Sequence, residues 1–429
     1  MIEMPAVVGD VVRSVGLSTA MKAAGVVTGL LPIPQPMLLV GPGASRRLGQ
    51  ALAGFGHRKI LVVTDKGVAK LGLAKAFLQA LRKGGADYVV FDAVTADAPI
   101  PVIEKGIAYC QRRNCDAVVA FGGGSPMDAA KVIAYAVANR KHPRKLVGYF
   151  KGLSAPLPVY AVPTTAGTGS EVTVAAVISD PDEGTKLVIA DTRLAPAMAA
   201  LDPSLMTGLP RDITAATGMD ALTHAVEAFI GQWATAYTDR MALAAVALIY
   251  ENLPVACRNP RNLEARERMA LAATYAGLAF TRANVGYVHA ISHQLGGRYH
   301  TPHGLANAIM LPHVLRHLAP AVTKRLARLA VAAKVGGEGE KPAALARKFL
   351  ASVEAMNKAL GIPEVLETLR EADIPALAKA ACWEADTSYP VPKYMSPETC
   401  AGILRKVLPG AGRRAARPAK PRPRGRGSR

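Results

Sequence analysis

The sequence predicts an α/β domain on a parallel, Rossmann-like sheet, followed by an all-helical domain. Three observations lead there. In the first half, short apolar, β-branched runs alternate with helical stretches. One of those runs ends in three glycines that open the next helix. Beyond about Gly208 such runs give way to long Ala/Leu/Arg/Glu segments. Strands alternating with helical patterns argue βαβ units, whose crossovers cover both faces of a parallel sheet.

In chain order, residues 1–35 read as an extension, with an amphipathic helix packed on the body or on a neighbouring subunit. The α/β domain takes residues 36–207, with strands at Ile60–Thr64, Tyr88–Phe91, Ala117–Phe121 and Val159–Val162. The helical domain takes 208–410, with helices at Arg240–Tyr250, Leu263–Phe280 and Ala343–Leu360. A basic tail, expected to be disordered, takes 411–429. Half of the 429 residues are apolar and only 5% aromatic, so the core must be built from Ala, Val, Leu and Ile.

The formal net charge is +20, and the tail supplies eight basic residues and no acid. That raises nucleic-acid binding as a function, but the tail has no aromatic residue to stack on a base. Cys110, Cys115, Cys257, Cys382 and Cys400 form no C-x-x-C pair and read as buried thiols of a reducing compartment, the cytoplasm. No run of about 18 apolar residues appears, so no membrane span is expected.

Three segments carry chemistry. Asp220 and His224 are four apart in a stretch of helix formers, one turn apart on one face. His289 and His293 repeat that spacing, and His303 follows a Gly-Gly break near a helix start. Six of the nine histidines fall between His289 and His317. One carboxylate and three imidazoles suit Fe(II), Zn(II) or a similar ion, which can hold and polarise a substrate oxygen. The alternative for any one pair is a helix-stabilising contact.

The run Ala117–Phe121 ends in Gly122-Gly123-Gly124-Ser125, and Pro126 fits the first turn of a helix. Glycines there admit a ligand to the backbone, and the helix start favours a phosphate. A tight turn without a ligand is the alternative. Val162-Pro163-Thr164-Thr165-Ala166-Gly167-Thr168-Gly169-Ser170-Glu171 follows another strand. Its hydroxyls suit a phosphate or an amide, or merely cap a helix.

These segments, G-G-G-S-P-M-D-A-A-K, P-T-T-A-G-T-G-S-E, and D-A-L-T-H-A-V-E with H-A-I-S-H-Q-L-G-G-R-Y-H-T-P-H-G, stand in the order of the iron-containing (group III) alcohol dehydrogenase family. The chain resembles that family from about Pro36 to about Pro409. The resemblance implies its dehydroquinate synthase-like architecture, with Asp220, His224, His289 and His303 as metal ligands and His293 moving the hydroxyl proton. It implies Gly123, Gly124 and Ser125 at the pyrophosphate, with Asp128 nearby. Thr164, Thr165, Thr168 and Lys186 then line the cofactor cleft, and Phe280 flanks the nicotinamide. Two stretches depart from the family. Ala96-Asp97-Ala98-Pro99 stands for P-N-P-T, and Arg282 stands where smaller or polar residues are common.

The resulting expectation is a metal-dependent NAD(P) alcohol dehydrogenase, interconverting an alcohol and its aldehyde or ketone. A homodimer or larger assembly is expected. A metal hydrolase fits the ligands but has no use for the two loops. A nucleic-acid-binding protein rests on tail and charge alone. NAD is expected over NADP, because Asp65 ends a strand where an acid accepts from a ribose 2′-hydroxyl and repels a 2′-phosphate. Asp65 precedes Gly122 by 57 residues, so that role needs the sheet to bring the two strand ends together. Capping of the next helix is the alternative role.

Overall fold

The computed structural model describes residues 31–410, together with Thr19, Met21, Ala23, Gly25 and Gly29, which are helical. Most of the expected amino-terminal helix and all of the basic tail lie outside the described residues.

The strands are β1 (Met37–Val40), β2 (Ile60–Asp65), β3 (Tyr88–Val94), β4 (Ala117–Gly122), β5 (Gly148–Tyr149), β6 (Val159–Pro163), β7 (Ala175–Asp180), β8 (Thr185–Ala190) and β9 (Met198–Leu201). Six of them form one sheet in the order β1-β9-β6-β4-β2-β3, and every pairing in it is parallel. β7 and β8 form an antiparallel hairpin, and β5 joins β8 in a second, three-stranded sheet. The four expected strands are present. Of those not expected, β1, β5 and β9 are four residues or shorter, as in the Met-Ala-Ala-Leu of β9, whereas β7 and β8 are six residues each and pair with one another outside the main sheet.

Successive residues of β2 and β4 serve opposite faces, as the two-residue pleat requires. Leu61, Val63, Val118 and Ala120 pack with Ile103, Met127 and Ile133 of the helices Ile100–Arg112 and Gly124–Asn139. Ile60, Val62, Val119 and Phe121 pack with Leu48, Leu52, Phe77 and Leu81 of the helices Ala44–Ala53 and Lys75–Lys83. Both faces are therefore covered, which is why these strands read as unbroken apolar runs.

The described elements after Arg211 are helical. The Arg211–Ile230 helix is buried along nearly its whole length among the helices Ala236–Arg258, Leu263–Ala283 and His303–Ala332. Small side chains set the spacing: a Cβ on Gly218 would lie 2.3 Å from Leu253. By length and composition the Ala236–Arg258 helix would pass for a membrane span. Its Ala242, Ala245, Val246, Ile249 and Leu253 face is instead buried in the protein core, and its Asp239 pairs with Arg325 and Arg328. All five cysteines are buried and unbridged.

Candidate metal centre and cofactor cleft

Asp220, His224 and Glu227 share one stripe of the Arg211–Ile230 helix, two turns long. His289 and His293 lie one turn apart on the Tyr287–Tyr299 helix. That helix ends at His300, in the left-handed conformation (φ 54°), and His303 opens the next helix after Pro302. The reversal returns His303 toward His289. The expected Gly-Gly break is not where the chain turns, because Gly296 and Gly297 lie inside the helix. They allow close approach: Cβ atoms there would sit 3.2 Å from Lys186 Nζ and 3.1 Å from the Gly184 carbonyl.

One ligand atom from each of Asp220, His224, His289 and His303 falls within 4.8 Å of the other three. The amide nitrogen of Asn307, one turn beyond His303, donates to Asp220 Oδ1 (2.7 Å) and lies 3.2 Å from both His289 Nε2 and His303 Nε2. A carboxylate oxygen and two imidazole nitrogens thus converge on one point. His224 Nδ1 is buried without a hydrogen-bond partner 4.0 Å from Asp220 Oδ2. Burial, then neighbouring positive charge, holds His289 and His303 well below the usual imidazole range. Burial lowers His224 too, against the pull of Asp220. Neutral imidazoles beside one carboxylate fit a divalent cation.

Glu227 was not singled out from sequence, although it stands at the end of the quoted motif. Its buried carboxylate accepts from the amides of Gly286 (2.9 Å) and Val288 (2.7 Å) and from His289 Nδ1 (2.6 Å). Burial pushes it up to about 7 despite those donors. The contact fixes the His289 tautomer, with Nε2 aimed at the centre. Phe280, expected beside a nicotinamide, stacks on the His224 ring at 4.2 Å and 15°. Arg282 turns to the amino-terminal segment, donating to the Ile33 carbonyl at 3.0 Å and lying over the Tyr237 ring.

His293 stacks on His303 with ring centroids 5.3 Å apart and planes at 17°. Its Nδ1 lies 2.6 Å from Glu384, which also accepts from Tyr389 and Gln294. Burial would raise the Glu384 carboxyl, but the attraction of the His293 ring and these hydrogen bonds outweigh it and leave it below the usual range. Sequence reasoning missed Glu384 and Tyr389, which lie some 90 residues downstream with no spacing signal.

The second group lies at the carboxyl edge of the sheet. β2 and β4 are parallel neighbours, with Val63 opposite Ala120. Asp65 and Gly122 therefore end side by side: Asp65 Oδ2 is 3.5 Å from where a Gly122 Cβ would lie. Asp65 Oδ1 also caps the short Lys66–Lys70 helix, accepting from Val68 N at 2.9 Å. Gly122 has φ 156°, and a Cβ there would run into Pro126 at 2.6 Å. A Cβ on Gly124 would strike Thr168 Cγ2 at 2.7 Å, and one on Gly123 would touch Thr165 at 3.4 Å. The glycine and threonine loops thus face each other in close contact, joined by Thr164 N to the Gly122 carbonyl (3.0 Å). The Gly124–Asn139 helix has no side-chain cap and no acid in its first turn, which leaves its start suited to an anion.

Ser125 Oγ accepts from Asp97 N at 3.1 Å, and Asp97 pairs with Lys186 at 2.8 Å. The departing Ala96–Pro99 loop is thereby tied to the glycine loop, with Asp97 and Ala98 both at positive φ. Asp128 points inward, accepting from Ser170 Oγ (2.7 Å) and Val177 N (3.1 Å). Lys131, not singled out from sequence, is fully buried and donates to Ser170, Thr173 and Ala175. Those bonds brace the threonine loop against the helix.

The sequence pattern described as iron-containing alcohol dehydrogenase matches residues 35–203. That of the Fe-containing alcohol dehydrogenase family, C-terminal, matches residues 214–408. An NAD-dependent methanol dehydrogenase of Bacillus methanolicus is 37% identical over 375 residues, 87% of this chain and 98% of its own. A 1,3-propanediol dehydrogenase of Klebsiella pneumoniae is 40% identical over 373 residues, 86% of this chain and 96% of its own. Among solved structures, a 1,3-propanediol oxidoreductase superposes with a TM-score of 0.85 at 38% identity, covering 88% of this chain and all of that one. The iron-containing enzyme of Thermotoga maritima gives 0.77 at 26%, covering 89% and 100%. With its ligand cluster, its paired loops and matches along nearly its whole length, this chain belongs to the iron-containing alcohol dehydrogenase family.

Proposed function

We propose that the protein is an NAD-dependent, metal-containing alcohol dehydrogenase. It interconverts a small alcohol and its aldehyde or ketone across a cleft between an α/β domain (36–207) and a helical domain (208–410). The observation that carries this reading is the convergence of Asp220, His224, His289 and His303, within 4.8 Å of one another. Asp220, His289, His303 and His224 hold the ion, Fe(II) first and Zn(II) as the alternative. When bound, the ion would supply Lewis acidity toward an alcohol oxygen, and a nicotinamide would supply the hydride acceptor. The backbone of Gly123 and Gly124, with Ser125, holds the pyrophosphate, Thr164, Thr165 and Thr168 line the cofactor cleft beside it, and Asp128 braces the two loops through Ser170. Lys186, held by Asp97, adds positive charge at the same edge. Asp65 receives the adenine ribose and favours NAD. His293 takes the proton toward solvent, and Phe280 forms one wall over His224. The methanol and propanediol relatives support short primary alcohols and diols as substrates. Five unbridged thiols suit the cytoplasm. We place the working enzyme as a homodimer or larger.

Nicotinamide reduction tests the reading: purified protein loaded with Fe(II) or Zn(II), offered a panel of C1–C4 alcohols with NAD or NADP. Turnover with at least one alcohol, lost on chelation, is the expected result. Metal-dependent ester or amide hydrolysis without any nicotinamide reduction would instead favour a hydrolase.

A further inference from the structure

His293 is held by more than its own helix. Its Nδ1 faces Glu384 Oε1 at 2.6 Å, on the Ile374–Ser388 helix. The Tyr389 hydroxyl donates to the same oxygen at 2.5 Å, and Gln294 Nε2 donates to Oε2 at 2.7 Å. An ionised carboxylate only accepts, so His293 must present Nδ1–H to it. In the neutral ring that leaves the lone pair on Nε2, at the opposite edge. The ring is stacked on His303 and lies edge-on to His289 at 6.1 Å, so its orientation is set against two members of the ligand cluster.

Glu384 has a mostly buried side chain, and among the described residues its one ion-pair partner is His293, with no Lys or Arg. A carboxylate buried without such a cation is costly unless donors surround it. Here they do, and one of the three is the candidate proton carrier. For docking one helix on another, an apolar side chain of similar size would serve as well or better.

We propose that Glu384, clamped by Tyr389 and Gln294, is a positioning residue that sets the tautomer and ring orientation of His293. This rests on the role given to His293 above. The carboxylate touches neither substrate nor cofactor; it acts through the imidazole. With Glu384 removed, Tyr389 remains 3.5 Å from His293 Nδ1, and its hydroxyl can donate or accept. Both tautomers then populate, and the ring loses its fixed rotation.

Three proteins test this: the parent, Glu384→Ala and Glu384→Gln. The glutamine keeps an oxygen for His293 and Tyr389 once the Gln294 amide turns over, so it reports on the acceptor rather than the charge. Expected for Glu384→Ala is a kcat lower by about 10- to 100-fold, the usual range for a lost orienting partner. The KM for NAD and the metal content should stay at parental values. Glu384→Gln should recover most of the kcat. In the zinc-loaded, 15N-histidine-labelled protein, the parental His293 should show one protonated Nδ1, and Glu384→Ala a mixture of tautomers. A kcat within twofold of the parent in Glu384→Ala, a loss that tracks lost metal or raised KM, or an unchanged tautomer would each overturn the proposal. A parent that turns over no alcohol sinks the functional reading instead, and the tautomer spectrum still decides this inference.

Discussion

At the scale of single residues, the ligand cluster and the group behind it should separate cleanly on mutation. His289→Ala or His303→Ala opens a four-ligand set, so both metal content and turnover should vanish. The fold should persist, since the large apolar clusters on either side are untouched. Metal analysis with circular dichroism checks this, and a variant with full metal and normal turnover contradicts the ligand assignment. His293→Ala should differ, keeping its metal while kcat falls about 10²-fold. Glu227→Gln should weaken metal affinity about 10- to 100-fold, because the His289 tautomer loses its carboxylate anchor. Asp65 caps a helix with one oxygen, and its other oxygen lies beside Gly122, where the proposed ribose contact would be made. Asp65→Gly should therefore raise kcat/KM with NADP relative to NAD at some cost in stability. A parent indifferent to the 2′-phosphate would remove Asp65 from the cofactor site.

Between elements, the telling feature is how closely two loops and one helix meet. Gly124 is not at positive φ, so Gly124→Ala introduces a steric problem alone, a Cβ 2.7 Å from Thr168 Cγ2. Overpacking of this kind costs about 1–3 kcal/mol. It should push the threonine loop outward and raise the KM for NAD about 10-fold at constant metal content. Thr168→Ser removes the offending methyl and keeps the hydroxyl, so the double variant should recover affinity; additive losses would argue against loop contact as the cause. Lys131 ties the Gly124–Asn139 helix to residues 170–175. Burial draws its ammonium down to about 8, against Asp128 and Glu171, which pull it up. Between about pH 8 and 10.5 the unfolded chain therefore holds the extra proton, and this group makes stability rise with pH across that window. Denaturant titrations of the parent and Lys131→Met over that range should show the rise only in the parent.

For the whole molecule, charge and function should prove separable. Deleting residues 411–429 removes eight basic residues and no acid, taking the formal charge from +20 to +12. Turnover should stay within about twofold, because every residue given a role in the cleft, from Asp65 to Glu384, precedes the deleted segment. Any retention on a polyanion column should weaken. A tail deletion that abolishes turnover would tie the extension to the active site.

The sequence by itself determined the α/β-then-helical plan. Short continuous apolar runs and glycine punctuation are local properties, and the strands at Ile60, Tyr88, Ala117 and Val159 follow from them. It also marked the four ligand candidates, because helical spacing places Asp220 with His224, and histidines are scarce elsewhere. Tertiary structure alone decided what stands behind those ligands. Glu227 meets His289 across 62 residues, and Glu384 meets His293 across 91. No local period encodes a contact between two helices so far apart in the chain. The same holds for Asp65 and Gly122, which meet only because β2 and β4 pair in parallel. Gly296 and Gly297 looked like a break in sequence but lie inside a helix, because the β7–β8 hairpin and Lys186 press against that face. Local propensity weighs a residue against its chain neighbours, whereas these positions are governed by groups that only folding brings near.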